Sequence, residues 1–460
     1  MGHFSLTNNQ DTIAALATPP GMGAIGVIRV SGPDAISMVN AIFKGTDLTL
    51  ALSHTIHFGR IIENDMVIDE VLVSVFKAPN SYTAENITEI SCHGSPYILT
   101  RVLNLIIQKG ARLAKPGEFT MRAFMNGKMD LAQAEAVADL VAADSENARQ
   151  VAISQMRGGF SSEIKKMREK LVHFASMVEL ELDFAEEDVE FASREELKKL
   201  VKELSDIISA LLSSFMTGNV IKNGVPTVIA GKPNSGKSTL LNAMLNEEKA
   251  IVSELEGTTR DFIEDEIHIE GFAFRFIDTA GIREARDRIE QMGIERTRQK
   301  MREASVIIYM FDLSVENEDS INQQVSELER LSIPYIKAGN KTDVASPALL
   351  NSLESQPGFI FISAKFKENL DQLKVRLIDL LDLGKVSVGD TIVTNARHYE
   401  SLFKAKNALR EVIDGMEKQA SGELLAQDIR QSIYYLGEIT GEITNEDLLE
   451  NIFSKFCIGK

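Results

Sequence analysis

The segment GKPNSGKS at 231–238 places the tightest limit on what this chain can fold into. A glycine-rich loop that ends in lysine and a hydroxyl works only between a strand and a helix. Both are present in the pattern: the apolar run Thr227–Ala230 precedes the loop, and an amphipathic helix is expected from about Lys237. In that setting the N–H groups of Asn234, Ser235, Gly236, Lys237, Ser238 and Thr239 surround a phosphate at the positive end of a helix. Lys237 then reaches the β and γ oxygens, and Ser238 supplies a hydroxyl to Mg²⁺.

Four further motifs follow in order and turn a nucleotide site into a guanine nucleotide site. In GTTRD at 257–261, Thr258 or Thr259 can close over the nucleotide, the second being the better Mg²⁺ ligand. DTAG at 278–281 offers Asp278 to the metal through water and, after Thr279 and Ala280, the Gly281 N–H to the γ-phosphate. NKTD at 340–343 brings Asn340, Lys341 and Asp343, and SAK at 363–365 brings Ser363, Ala364 and Lys365. The two Asp343 oxygens match the N1–H and 2-amino donors of guanine, whereas adenine presents an acceptor at N1. The sites therefore read as GTP sites, and an ATP-using enzyme stands or falls on Asp343.

The residue after DTAG is Ile282, where Ras-like enzymes carry a glutamine that orients the attacking water. An aliphatic side chain cannot hold water, so another group must. Glu290, in the charged segment that follows, is one choice; a solvated helix carboxylate is the other reading of the same spacing. Asn234 inside the loop can offer its amide oxygen to a monovalent cation, or can simply cap the loop.

The chain has 460 residues, 44% of them hydrophobic, enough for about three domains with true cores. No apolar run approaches the roughly 18 residues of a membrane span, and the start MGHFSLTNNQ lacks a signal peptide's apolar region, so a cytoplasmic protein is expected. Cys92 and Cys457 are too few for a disulfide scaffold. A net charge of −18 argues against broad electrostatic adhesion to nucleic acid or anionic lipid.

The expected fold is mixed: an N-terminal α+β domain at 1–122, a discontinuous helical domain at 123–222 and 384–460, and an inserted Ras-like P-loop domain at 223–383. Apolar residues recur at helical spacing through Phe160, Ile164, Met167 and Leu171 and again through Leu425, Ile429, Ile433 and Leu436, so the two helical parts are expected to pack together. Gly218–Gly224 and Gly384–Gly389 read as the connections to the insert, and a last helix is expected to start at Thr444. Short β-rich runs lie at Ile25–Val30, Val67–Phe76 and Ile87–Ser91. GMGAIG at 21–26 has dinucleotide-loop spacing but leads into a strand, so it reads as a loop with close backbone packing. The acidic cluster at 179–190 reads as a solvated helix end, and the closing CIGK lacks the aliphatic residue of a prenylation box.

ATPPGMGAIGVIRVSG near the start, KPGEFTMRAFMNGKMDLAQAEAVADL at 115–140, the GKPNSGKS, GTTRD and DTAG motifs and the closing FCIGK together resemble the tRNA modification GTPases called MnmE or TrmE, over essentially the whole chain. The resemblance implies a homodimer formed through a folate-binding N-terminal domain. It also implies GTP hydrolysis that drives formation of 5-carboxymethylaminomethyluridine at wobble position U34 of certain tRNAs. The implied partner is MnmG (GidA), in a heterotetramer, carrying FAD and using NADH. By motif, Arg29, Glu89, Lys128 and Lys460 would contact a 5-formyl- or methylene-tetrahydrofolate. Glu290 would be the catalytic base, Asn234, Ser253, Leu255 and Thr258 would hold K⁺, and Thr259 would join Ser238 on Mg²⁺. Cys457 resembles a cysteine needed for modification and not for hydrolysis. The competing reading is a ribosome-assembly or signalling switch, which has no use for a folate pocket.

Overall fold

A computed structural model describes residues 11–183, 193–249, 265–277, 301–331, 333–381 and 391–460. The chain divides into two compact units, one made of Met1–Val141, Ile153–Asp206 and Ser401–Lys460, the other of Ala142–Ala152 and Ile207–Glu400.

The first unit begins with β1 (Ile13–Leu16), β2 (Ile25–Ser31), β3 (Phe43–Lys44), β4 (Thr55–Glu63), β5 (Met66–Phe76), β6 (Ile87–His93) and β7 (Arg112–Leu113). They form one sheet in the order β3-β4-β5-β6-β2-β1-β7. All its pairs are antiparallel except β1 with β7. Alternation along β5 sends Val71, Val73 and Val75 into the core and leaves Leu72 on the other face. Helices α1 (Ala35–Asn40) and α2 (Pro96–Gln108) cover the buried face, α2 through Leu99, Val102, Leu105 and Ile106. The 21–26 segment is a loop entering β2, tied by the Gly23 N–H to the Gly94 carbonyl, and Gly26 leaves room for Leu99, as its sequence suggested. His93 ends β6 as an exposed side chain on Asp69, 2.7 Å away.

Next in the chain come α3 (Glu118–Met125), α4 (Leu131–Ala142), α5 (Glu146–Met156), α6 (Gly159–Asp183) and α7 (Arg194–Asn223). Arg122 on α3 is 1% exposed and is held by Asp11, Glu85 and Glu118, which compensate a buried guanidinium. Of the acidic cluster, Glu179 pairs with Arg430 and Glu181 with Arg194, while 184–192 lie outside the described residues. Contrary to the sequence reading, helix α7 is long and apolar enough by composition to cross a membrane. Its Leu197, Val201, Leu204, Ile208 and Leu211 recur every three or four positions and are all buried, the stripe of a packed helix.

The 218–224 segment corrects the sequence reading, because α7 continues to Asn223 and breaks only at Gly224, where φ is 72°. Gly218 serves packing here: a side chain there would collide with the Val393 carbonyl, and the Val393 N–H donates to Ser214 Oγ at 3.1 Å. The second connection, 384–389, lies outside the described residues.

The second unit holds β8 (Val225–Gly231), α8 (Lys237–Lys249), β9 (Asp265–Ile269), β10 (Phe272–Phe276), β11 (Val306–Asp312), α9 (Glu318–Glu329), β12 (Tyr335–Asn340), α10 (Pro347–Glu354), β13 (Phe359–Ile362) and α11 (Leu370–Leu380). Its sheet runs β13-β12-β11-β8-β10-β9, parallel throughout except for the β9–β10 hairpin. Positive φ at Glu270 and Gly271 turns that hairpin in two residues. Strands β8 and β11 are near-continuous apolar runs because both faces are covered. Among the described residues, four loops, after β8, β11, β12 and β13, therefore leave the carboxyl ends of parallel strands together, the place where a doubly wound sheet binds its ligand.

The chain returns to the first unit with α12 (Ala396–Glu417), α13 (Gly422–Thr440) and α14 (Glu446–Phe453). Helix α13 packs on α6 as expected, with Arg168 paired to Glu442 and Arg430 to Glu179. The last helix starts two residues later than its sequence suggested. Asn445, not Thr444, is the cap, because its side chain accepts the Leu448 N–H at 2.8 Å.

Candidate functional site

In the second unit, β8 feeds Gly231–Ser238 and α8 leaves it, so the loop's N–H groups converge at a helix N-terminus. The path demands glycine twice: φ is 140° at Gly231 and 102° at Gly236, and a side chain at Gly236 would run into Asn340 Nδ2. Asn234 also takes a positive φ, 62°, which asparagine tolerates, and its side chain stands exposed. Ser235 is fully buried and its hydroxyl has no partner among the described residues.

The Lys237 ammonium donates to the carbonyls of Gly231 at 2.9 Å and Lys232 at 2.8 Å. Burial lowers its pKa, which an anionic phosphate would reverse. The hydroxyls of Ser238 and Thr239 are exposed at the start of α8, and an oxygen donor at Ser238 suits a hard divalent cation.

Asn340 joins the loops. Its Nδ2 donates to the Ser235 carbonyl at 2.8 Å, and its Oδ1 accepts the Ala364 N–H at 3.0 Å. Ser363 Oγ donates to Asp343 Oδ1 at 2.8 Å, which aligns the carboxylate. Lys341, in the left-handed conformation with φ 67°, donates to Asp312 Oδ2. Lys365 lies exposed over the Phe366 ring. The structure thus brings 234–239, 340–343 and 363–365 together. Ser253, Leu255, Thr258, Thr259, Asp278, Thr279, Ala280, Gly281 and Glu290 lie outside the described residues.

Asp312 was missed in the sequence, although a carboxylate closing the apolar strand VIIYMFD is a usable signal. Burial pushes its pKa up, but the hydrogen bonds from Lys341 and Ser314 outweigh that and hold it below its ordinary value.

A second constellation belongs to the first unit. Arg29 and Glu89 stand directly opposite on β2 and β6, joined at 2.8 Å. The guanidinium lies over the rings of Tyr82 at 5.4 Å and Phe119 at 5.7 Å, neither of which the sequence reading named. Tyr82 itself is oriented by Thr120 Oγ1 at 2.8 Å, and burial raises its pKa. The Arg29 NH1 group also donates to the Gly459 carbonyl at 3.4 Å, so the closing CIGK folds onto this sheet. The Gly117 N–H donates to the Cys457 carbonyl at 3.4 Å while the Cys457 thiol stays exposed, and Lys460 turns back to the same carbonyl. Lys128 reaches the Pro79 carbonyl at 3.5 Å, on the loop that carries Tyr82. Arg29, Glu89 and the 459–460 tail are therefore neighbours, with Lys128 at the rim of the same loop.

Comparison with known proteins covers both units. Residues 12–128 match the family described as GTP-binding protein TrmE N-terminus, and residues 131–457 match the MnmE helical domain. The tRNA modification GTPase MnmE of Cytophaga hutchinsonii is 57% identical over 460 residues, 100% of both chains. That of Bacteroides thetaiotaomicron is 53% identical over 470 residues, covering 98% of this chain and 100% of the relative. That of Christiangramia forsetii is 51% identical, covering 98% and 99%.

Proposed function

The chain belongs to the MnmE family of tRNA modification GTPases, and on that premise we propose that its GTP hydrolysis is K⁺-stimulated and drives, with MnmG (GidA), formation of 5-carboxymethylaminomethyluridine at U34. It binds and hydrolyses GTP in tRNA modification. MnmG would supply FAD and use NADH, and a tetrahydrofolate would supply the one-carbon unit. The proposed domains are 1–122, 123–222, 223–383 and 384–460, in a cytoplasmic protein.

The observation that carries the folate reading is the Arg29–Glu89 pair between two aromatic rings with the CIGK tail against it. Folate presents a donor-rich pterin and a glutamate tail. A carboxylate at Glu89, cations at Arg29, Lys128 and Lys460, and aromatic walls suit those groups. Arg29→Ala is expected to weaken tetrahydrofolate binding about tenfold or more, from the loss of a charge-assisted contact worth roughly 1.5–3 kcal/mol. Equilibrium titration of the purified protein checks this, and an unchanged affinity would remove Arg29 from the site. A pure switch protein would bind no folate at all.

A homodimer is supported by the outer face of the first sheet. Ile56 and Phe58 on β4 are each 65% exposed, and Phe58 stands opposite Leu72 of β5, an apolar patch that a second copy would cover. For hydrolysis, Ser238 with Thr259 would hold Mg²⁺, and Asn234 with Ser253, Leu255 and Thr258 would hold K⁺ beside the phosphates. With Ile282 unable to hold water, the cation would provide the charge that an arginine finger provides elsewhere, and Glu290 would act as the base. Turnover in KCl is expected to exceed turnover in NaCl at equal ionic strength by at least about tenfold. The dimer's radius of gyration in solution is expected to be smaller in a transition-state mimic than in GDP, as the two G domains close on each other. Equal rates in both salts would sink the cation mechanism and leave a GTPase without it.

A further inference from the structure

Lys232 is the second residue of the phosphate loop. Its ammonium donates to Glu316 Oε2 at 2.7 Å and to Ser320 Oγ at 2.7 Å. The Glu316 side chain is only 4% exposed, so its charge needs compensation. Both oxygens are engaged: Oε1 accepts the Asp312 N–H at 3.1 Å, and Oε2 also accepts Gln324 Nε2 at 2.6 Å. Burial would raise its pKa, but the bonds from Lys232, Gln324 and the Asp312 N–H outweigh it and keep the pKa low.

These contacts run continuously from the 231–238 loop to the 340–343 loop. Glu316 grips Lys232 on one side and the end of β11 on the other, and Asp312 at that end holds Lys341 of NKTD. The loop's far arm is tied to the same region by Asn340 on the Ser235 carbonyl. The Lys232 carbonyl, moreover, is one of the two acceptors that hold the Lys237 ammonium. An exposed ion pair on a surface contributes little, about 0–1 kcal/mol. This one differs because its carboxylate end is buried, and losing Lys232 leaves that charge short of a partner.

We propose that Glu316 is a positioning residue for nucleotide binding: through Lys232 it sets where the phosphate loop lies relative to the guanine-reading loops. The proposal rests on reading 231–238 as the phosphate loop. It is tested on the full chain by titrating fluorescent GDP into wild type, Lys232→Met, Glu316→Gln, the double variant and Lys237→Ala, with melting temperatures measured without nucleotide. Each single change is expected to raise Kd about tenfold, and the double variant no further, since both remove one coupling. A role confined to general stability would instead lower the melting temperature and leave Kd in place. Singles that multiply to about a hundredfold, or that leave Kd unchanged while Lys237→Ala weakens binding, overturn the Glu316 assignment alone. An unchanged Kd in Lys237→Ala overturns the phosphate-loop reading and this proposal with it. If Glu316→Gln does not fold, Lys232→Met decides: a tenfold rise in Kd supports the coupling whatever the melting temperature, and an unchanged Kd defeats it.

Discussion

Asp343→Asn is expected to lower GTP affinity by about a hundredfold and to turn the site toward xanthosine triphosphate. The carboxylate offers two acceptor oxygens to the N1–H and 2-amino donors of guanine, and charge-assisted bonds of this kind contribute roughly 1.5–3 kcal/mol each. An amide presents one acceptor and one donor, so one guanine contact becomes donor against donor. Xanthine replaces the 2-amino group with an oxygen, which the new N–H can meet. Ser363 Oγ, which donates to Oδ1, can still hold the remaining carbonyl oxygen in place, so the backbone has no reason to move. Competition titrations with GTP, ATP and xanthosine triphosphate read the outcome. Unchanged GTP affinity would remove Asp343 from base recognition, and a gain for ATP would reopen the adenine reading.

Gly236→Ala is expected to cost a comparable amount by a different route. At φ 102° an alanine is strained, at roughly 1–3 kcal/mol, and its Cβ would displace Asn340 Nδ2. Asn340 would then lose its hold on the Ser235 carbonyl, and with it the alignment of the Ala364 N–H. Together these losses come to about 3 kcal/mol, or about a hundredfold in GDP affinity. The loss should appear twice, in direct titration and as a smaller rise in melting temperature on adding GDP. A variant that binds GDP as wild type does would show that Asn340 need not bridge the two loops.

The guanine nucleotide motifs were legible because each is a short loop at the carboxyl end of a strand and carries its chemistry in adjacent residues, as Gly231–Ser238 does. What joins them was not. Asn340 meets a carbonyl 105 positions away and an N–H 24 positions away, and no local pattern encodes either distance. Glu316 is one of several acidic residues in DLSVENEDS, and only the sheet sets it beside Lys232, 84 positions upstream. Arg29 and Glu89, 60 positions apart, become a pair only through the register of β2 and β6. Glycine was over-read at 218, where helical continuity and a tight approach by Val393 outweigh a preference for turns. The end of the chain erred by less, since Thr444 and Asn445 are both competent caps and only the bond to Leu448 separates them.

The contact between Arg29 and Gly459 spans 430 positions, so a chain made from its N-terminus completes the surface of its first sheet among its last events. Until then the Gly117 N–H lacks its Cys457 acceptor and the Arg29 guanidinium lacks one of its partners. The sheet can assemble early from local hairpins such as β4 and β5, whereas the contact of Arg29 on β2 with Gly459 waits on synthesis of everything between. A chain interrupted before residue 456 would hold every motif for GTP and still lack the tail that meets Arg29. Docking of the 459–460 tail on the Arg29 side chain therefore depends on synthesis of nearly all the chain between them.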